Sequence, residues 1–385
     1  MNLLESGREY FPALLAEINS AQREIFLETY IFAADPVGEA VATALAAAAS
    51  RGVSVQLLVD GFGGRNFADD FLPRLVAAGV YAMLYRPELA RFNFRRNRLR
   101  RLHRKLAVID ARVGYVGGIN VLDDFHGRHL AAPRQDYAVR VEGPVVADMH
   151  ARARRLWRLV TWSRLGLSRR EDAWLRPRAD PVGEQRAEFL TRDNLRRRRA
   201  IEAAYLHAIH RAKKEVLIAN AYFMPGVRFR HALVDAARRG ARVVLLMQGH
   251  SDHPVYQLAA RALYRYFLEN GVEVHEYHAT ELHAKVAVVD GQWATVGSSN
   301  IDPFSLLLAR EANLVVHDPA FAGELKARLE GALARGARRI HRRAWRHIPW
   351  YARLASWLAY GAVRTVMGLA GYAQGWDGGR PGRRP

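Results

Sequence analysis

Cysteine is absent from this chain, and lysine nearly so. Without cysteine there is no disulfide, no thiolate metal site and no thiol nucleophile, a composition that fits a reducing compartment. Lysine occupies only positions 105, 213, 214, 285 and 326, so almost all of the 58 basic residues are arginine. Acidic residues are also few, 38 against those 58, which leaves a formal net charge of +20. Such a charge favours anionic partners, either nucleic acid or an anionic membrane surface, and does not by itself choose between them. A long apolar run is missing as well. Arg353 and Arg364 interrupt the most apolar stretch, and nothing approaches the ~20 uninterrupted residues that a membrane span needs. The opening MNLLESGREYF has neither a basic n-region nor a long apolar segment, so no cleaved signal peptide is expected.

What the chain does contain is one pattern written twice. Leu102 to Asn120 reads LHRKLAVIDARVGYVGGIN, and Leu282 to Asn300 reads LHAKVAVVDGQWATVGSSN; aligned without a gap they agree at nine of nineteen positions. The offset of 180 residues is too long for a solenoid repeat and suits two similar half-molecules, each giving one polar set to a shared site. The set is His-x-Lys, an Asp five residues later, then Gly-Gly-x-Asn or Gly-Ser-x-Asn. The apolar runs LAVI and VAVV read as buried strands. Residues i and i+2 share a strand face, so His103 and Lys105 point one way, as do His283 and Lys285. A chain reversal near Gly114 and Gly291 would return Asn120 and Asn300 to the same faces. Both repeat positions keep Lys in a chain that otherwise uses Arg, which indicates that a compact ammonium is needed there.

These residues resemble the doubled HxKxxxxDxxxxxxGSxN motif of the phospholipase D superfamily, with Gly118 standing where Ser is usual. The stretch LLESGREYFPALLAEINSAQREIFLETYIF is more narrowly similar to bacterial cardiolipin synthases of the short type without N-terminal membrane spans. The resemblance implies an α/β fold of two similar phospholipase D-like α/β/α sandwich domains with mixed central sheets, related by a pseudo-two-fold axis.

The chain order agrees with such a doubling. Strand and helix patterns alternate, as in layered α/β domains. Expected units are a first domain at 1–165, a linker at 166–186, a second domain at 187–340 and a basic aromatic tail at 341–385. Within them a helix is expected near 67–78, a basic helix near 193–213 and a long helix over 254–270. Residues 86–105 hold nine basic residues with Phe92 and Phe94 between them, and read as an anion-facing lip leading into His103. The tail mixes Trp, Tyr, Arg and Leu, which suits a membrane interface. The competing expectation for it is a helical hairpin that closes the domain core.

A phosphodiester is a poor electrophile because its oxygens are negative. A site must neutralise them, supply a nucleophile and protonate the leaving oxygen. Lys105 and Lys285 with Asn120 and Asn300 would clamp the non-bridging oxygens. One of His103 and His283 would attack phosphorus, and the other would act as acid and then base. The resemblance implies this two-step course through a phosphohistidine, with His103 as nucleophile and with no metal or cofactor. It also places an acid one strand after each motif, where Asp136 and Glu311 stand, to orient the imidazoles. Asp110 and Asp290 belong to the catalytic signature, but as residues at strand ends they are expected to be structural or salt-bridging. Asp60 and Glu28 carry weaker signals on neighbouring strands, and Asp123, Asp124 and His126 form a cluster without counterparts in the second half.

The implied function is a phosphatidyltransferase that makes cardiolipin from two phosphatidylglycerols with release of glycerol. Its expected partners are anionic phospholipid and a membrane surface rather than nucleic acid, and its expected place is peripheral, on the cytoplasmic face of a bacterial inner membrane. The competing enzyme reading is a phospholipase D or nuclease-type phosphodiesterase. A non-catalytic binder of anionic surfaces is disfavoured, because it has no use for two histidines and two lysines so placed.

Overall fold

The computed structural model describes residues 1–87, 100–125, 132–165, 175, 177, 180–193, 197–249, 254–346 and 348–367. The first half carries strands β1 (Asn2–Glu5), β2 (Glu24–Thr29), β3 (Ser54–Asp60), β4 (Tyr81–Tyr85), β5 (Lys105–Ile109), β6 (Val113–Gly117) and β7 (Tyr137–Glu142) in one sheet of order β1-β7-β6-β5-β2-β3-β4. The second carries β8 (Arg186–Arg192), β9 (Glu215–Asn220), β10 (Arg242–Gln248), β11 (Glu273–Tyr277), β12 (Lys285–Val289), β13 (Trp293–Gly297), β14 (Glu311–His317) and β15 (Ala337–Ile340), in the order β15-β11-β10-β9-β12-β13-β14-β8. Read from its other edge, the second sheet repeats the first strand for strand, with β15 as one addition. Both sheets are mixed: β2, β3 and β4 run parallel, as do β9, β10 and β11, and the motif strands join them antiparallel.

The reasons lie in the residue patterns. Strands buried on both faces read as continuous apolar runs, and every residue of β2, β5, β6, β9, β12 and β13 is buried. Parallel neighbours need crossover helices. The helix Pro36–Ser50 joins β2 to β3, opening with Pro in its first turn and with the Gly38 amide donating to the Asp35 carboxylate at 2.9 Å. Each half has its own outer core beneath such helices. A third core belongs to both halves: Val116, Val139 and Val141 pack in it with Val286, Val296 and Leu314.

Several expectations about elements need correction. The helix near 67–78 is two short ones, Phe67–Asp70 and Leu72–Ala77, and the second opens with a Pro in its first turn. The long helix over 254–270 is likewise split into Pro254–Arg261 and Tyr264–Glu269, and the helix near 193–213 is shorter, Ala200–Arg211. β1 has no counterpart among the expected elements, because four residues at a sheet edge give little periodicity to read. β15 adds to the edge of the second sheet, pairing antiparallel with β11. The helix Trp350–Met367 then seats Tyr360 and Val363 in the second outer core, and Trp345 lies 5.0 Å from the Tyr264 ring. No helix among the described residues is long and apolar enough to cross a membrane.

Candidate active site

β5 begins at Lys105 and β12 at Lys285, so each motif histidine sits just before its strand, where the backbone is free to pair elsewhere. It pairs with the other half. Leu102 bridges Arg310, and Leu282 bridges Gln135. The His103 amide donates to the Arg310 carbonyl at 3.0 Å, and the Arg310 amide donates to the Arg101 carbonyl at 2.7 Å. The matching bonds run from the His283 amide to the Gln135 carbonyl at 2.8 Å and from the Gln135 amide to the Glu281 carbonyl at 2.9 Å. These reciprocal stitches are what a pseudo-two-fold axis between the halves requires.

The same stitches bring the acids in, and they bring them in crossed. His103 Nδ1 lies 2.9 Å from Oε1 of Glu311, and His283 Nδ1 lies 2.6 Å from Oδ2 of Asp136. Each imidazole is therefore held by a carboxylate from the opposite half. A carboxylate accepts, so Nδ1 carries the proton in both rings and Nε2 is left to react.

The two acids are anchored differently. Glu311 is fully buried, and its second oxygen accepts from the Ser298 hydroxyl, which in turn accepts from the Ala312 amide at 3.0 Å. Asp136 is one methylene shorter and holds its own position through the Tyr137 amide at 2.8 Å. Gly118 stands where the second copy has Ser298. A Cβ there would lie 2.2 Å from Oδ1 of Asp136. The departure from the usual Ser thus has a steric cause: the shorter acid fills the space the hydroxymethyl would take.

Both lysines are buried, Lys285 completely. Lys105 Nζ donates to the His103 carbonyl at 2.7 Å, and Lys285 Nζ donates to the His283 carbonyl. Burial brings Lys105 down to about 7 and Lys285 down to about 8. Burial likewise lowers His103, against the pull of Glu311. It lowers His283 well below the usual imidazole range, with Lys285, Arg134, Lys105 and His103 adding to the effect. Burial pushes Asp136 up to about 6, with Lys285 opposing. Asn120 and Asn300 are buried too. Asn120 Oδ1 accepts from the Ile31 amide at 3.2 Å, while Asn300 Oδ1 is buried without a partner among the described residues.

The motif aspartates stand elsewhere. Asp110 follows the far end of β5, five residues and about 16 Å along the strand from Lys105. Its carboxylate accepts from the Gln22, Arg23 and Glu24 amides at 2.8 to 3.0 Å, and Asp290 accepts from Lys213, Lys214 and Glu215 at 2.8 to 2.9 Å. Both clasp the start of the neighbouring strand, at the ends of β5 and β12 away from the histidines.

Asp60 and Glu28 carry only weak signals in the sequence. Asp60 accepts from the Leu102 amide at 2.7 Å and so fixes the segment carrying His103; Gln248 does the same for Leu282, also at 2.7 Å. Glu28 forms a buried bidentate pair with Arg104, the residue between His103 and Lys105. Tyr30 carries no such signal. Its ring meets that of His103 edge-on at 5.0 Å and lies 5.5 Å from Lys105 Nζ; its counterpart in the strand alignment is Ala221, so no repeat pointed to it. The expected basic lip is corrected at its described end, because Arg101 pairs with Asp60 and Arg104 with Glu28 rather than facing outward. Residues 88–99 of that lip, and His126, lie outside the described residues. Asp124 accepts from the Gly7 amide, and Asp123 from the Phe125 amide within its own turn.

Comparison with known proteins puts this geometry in company. The family model described as "Cardiolipin synthase, PLD-like domain" matches residues 14–157 and 205–333. The chain is 41% identical over 382 residues to cardiolipin synthase B of Escherichia coli K12, covering 97% of this chain and 89% of that one. It is 31% identical to a cardiolipin synthase of Oceanobacillus iheyensis over 86% of this chain and 68% of that one. Among solved structures it is similar in fold to phosphatidylserine synthase of Haemophilus influenzae, with a TM-score of 0.67 at 13% identity, covering 97% of this chain and 95% of that one.

Proposed function

The chain belongs to the family described as cardiolipin synthase, PLD-like domain, and on that premise we propose that it is a phosphatidyltransferase making cardiolipin from two molecules of phosphatidylglycerol. The observation that carries the reading is the crossed pair of imidazole–carboxylate contacts, His103 with Glu311 and His283 with Asp136, beside two buried lysines.

In the first step, Nε2 of His103 attacks the phosphorus of one phosphatidylglycerol. The N–P bond forms as the P–O bond to the glycerol headgroup breaks, and His283 gives its Nε2 proton to the leaving oxygen. In the second, neutral His283 takes the proton from a headgroup hydroxyl of the other phosphatidylglycerol. That oxygen attacks the phosphohistidine, the N–P bond breaks and cardiolipin leaves. Lys105, Lys285, Asn120 and Asn300 hold the non-bridging oxygens throughout. The acid must be protonated when substrate is present, although burial, with the neighbouring cations adding to it, lowers His283. A bound phosphodiester anion offsets Lys105 and Lys285 and raises the proton affinity of His283 when the acid is needed.

The enzyme works peripherally at a membrane, on the cytoplasmic face of a bacterial inner membrane. A charge of +20 complements the anionic lipids displayed there.

Purified protein incubated with phosphatidylglycerol vesicles should yield cardiolipin and free glycerol in equal amounts by mass spectrometry. Phosphatidic acid in place of cardiolipin would make it a phospholipase D-type hydrolase. Inertness toward the lipid with cleavage of DNA would make it a nuclease.

A further inference from the structure

The helix Trp350–Met367 is held to the molecule along one side only. Ser356, Tyr360 and Val363 are buried against the second half at spacings of four and three residues. The other side shows Trp350, Tyr351, Leu354, Trp357 and Leu358 to solvent, with Trp350 70% and Leu358 64% exposed. Positions 350, 354, 357 and 358 recur at helical spacing and form one stripe. A contiguous apolar stripe of this kind on a protein surface marks a docking face.

The chemistry of the stripe says what covers it. Residues 341–367 contain no acidic residue, yet include the exposed Arg342, Arg343 and Arg353. A second copy docked through this face about a two-fold axis would set the same arginines against themselves, with no carboxylate on the element to answer them. An anionic bilayer answers both parts: the apolar stripe enters the acyl boundary and the guanidiniums meet phosphate. Trp and Tyr are the rings that suit that depth, and the helix does not qualify to cross.

The placement also connects to the catalytic centre. The helix packs on the helix Pro254–Arg261, whose Gln257 donates to the Gly249 carbonyl. The adjoining Gln248 holds the Leu282 amide beside His283.

We propose that this outer face lies flat in the headgroup region of an anionic phospholipid bilayer and holds the shared site at the surface from which its substrate is drawn, a proposal that rests on the lipid substrate inferred above. Tyr360 and Trp345 are packed inward, and the contact is made by Trp350, Tyr351, Leu354, Trp357 and Leu358.

Flotation of the full chain with phosphatidylglycerol vesicles and with phosphatidylcholine vesicles tests it, beside the variant Trp350→Ser/Trp357→Ser/Leu358→Ser. The parent should float with the anionic vesicles, and the variant's apparent affinity should fall roughly tenfold or more as three apolar side chains are withdrawn. Turnover of detergent-dispersed phosphatidylglycerol should be equal in the two. If neither protein turns that lipid over, the functional reading fails, while flotation still judges the docking face. A variant that floats as well as the parent overturns the proposal. So does a parent dimer, seen by light scattering, that the variant dissolves, because the occupant is then a second copy. Independently of any variant, the parent's tryptophan emission should be quenched by phosphatidylglycerol vesicles with brominated acyl chains, and untouched emission overturns the proposal.

Discussion

At Gly118 the first motif has no side chain because the carboxylate of Asp136 occupies that space. Gly118→Ser would restore the usual motif residue and push a hydroxymethyl into the acid that orients His283. Displacements near 1 Å at a reacting group can cost on the order of 10²-fold, so kcat should fall steeply while the fold survives. Wild-type turnover in this variant would show that Asp136 has room to move. The lysines give a second test at the same scale. Each Nζ is folded back onto the carbonyl of its own histidine inside a buried pocket. Lys105→Arg and Lys285→Arg keep the charge but need space for a planar fork, and each should lose about 10²-fold in kcat. Near-normal steady-state rates would mean that charge alone suffices. The lysines also set a pH limit. Because burial lowers them to about 7 and about 8, their ammonium forms are lost from the free enzyme as pH rises through that range. The profile of kcat/KM, which reports the free enzyme, should therefore fall on its alkaline side there; a plateau to pH 10 would contradict it. The sign for stability is opposite. Between those values and the ordinary 10.5, the unfolded chain binds more protons than the folded one, so these two groups make the fold more stable as pH rises.

Among the elements, the hairpins β5–β6 and β12–β13 carry the motif, and their far ends show why a shared signature need not mean shared chemistry. Asp110 and Asp290 each clasp three successive backbone amides at the start of β2 and β9. Asp110→Ala and Asp290→Ala should each destabilise by about 1–3 kcal/mol, the range for amides left without an acceptor. Denaturant unfolding measures that loss, and kcat per folded molecule should be unchanged. A fall in kcat at full stability would return these residues to the chemistry. The strands themselves were legible because buried β-branched runs are distinctive, and the motif residues because the chain states them twice. The split helices were not legible, since a break within an apolar pattern leaves the period almost intact. Asp60 and Gln248 act through a backbone amide, which leaves no mark in the partner's sequence. Tyr30 lies in only one half, so the comparison of copies passes over it.

On the scale of the molecule, the site exists only because the halves are stitched together. Sequence order places Asp136 and Glu311 after their own motifs and cannot say that each serves the histidine of the other; the bridges at Leu102–Arg310 and Leu282–Gln135 decide it. The tail shows a similar division. Its composition indicated an interface, but only packing separates the inward residues Tyr360 and Val363 from the outward Trp350, Trp357 and Leu358. The crossed pairing is the central claim, and the ring N–H protons of the two histidines report it most directly. In protein with isotope-labelled histidine, Nδ1 protons hydrogen-bonded to carboxylates should appear far downfield. Glu311→Gln should shift or remove the His103 resonance and leave that of His283, while Asp136→Asn should do the reverse. The opposite pattern, with each acid acting on the histidine of its own half, would contradict the account.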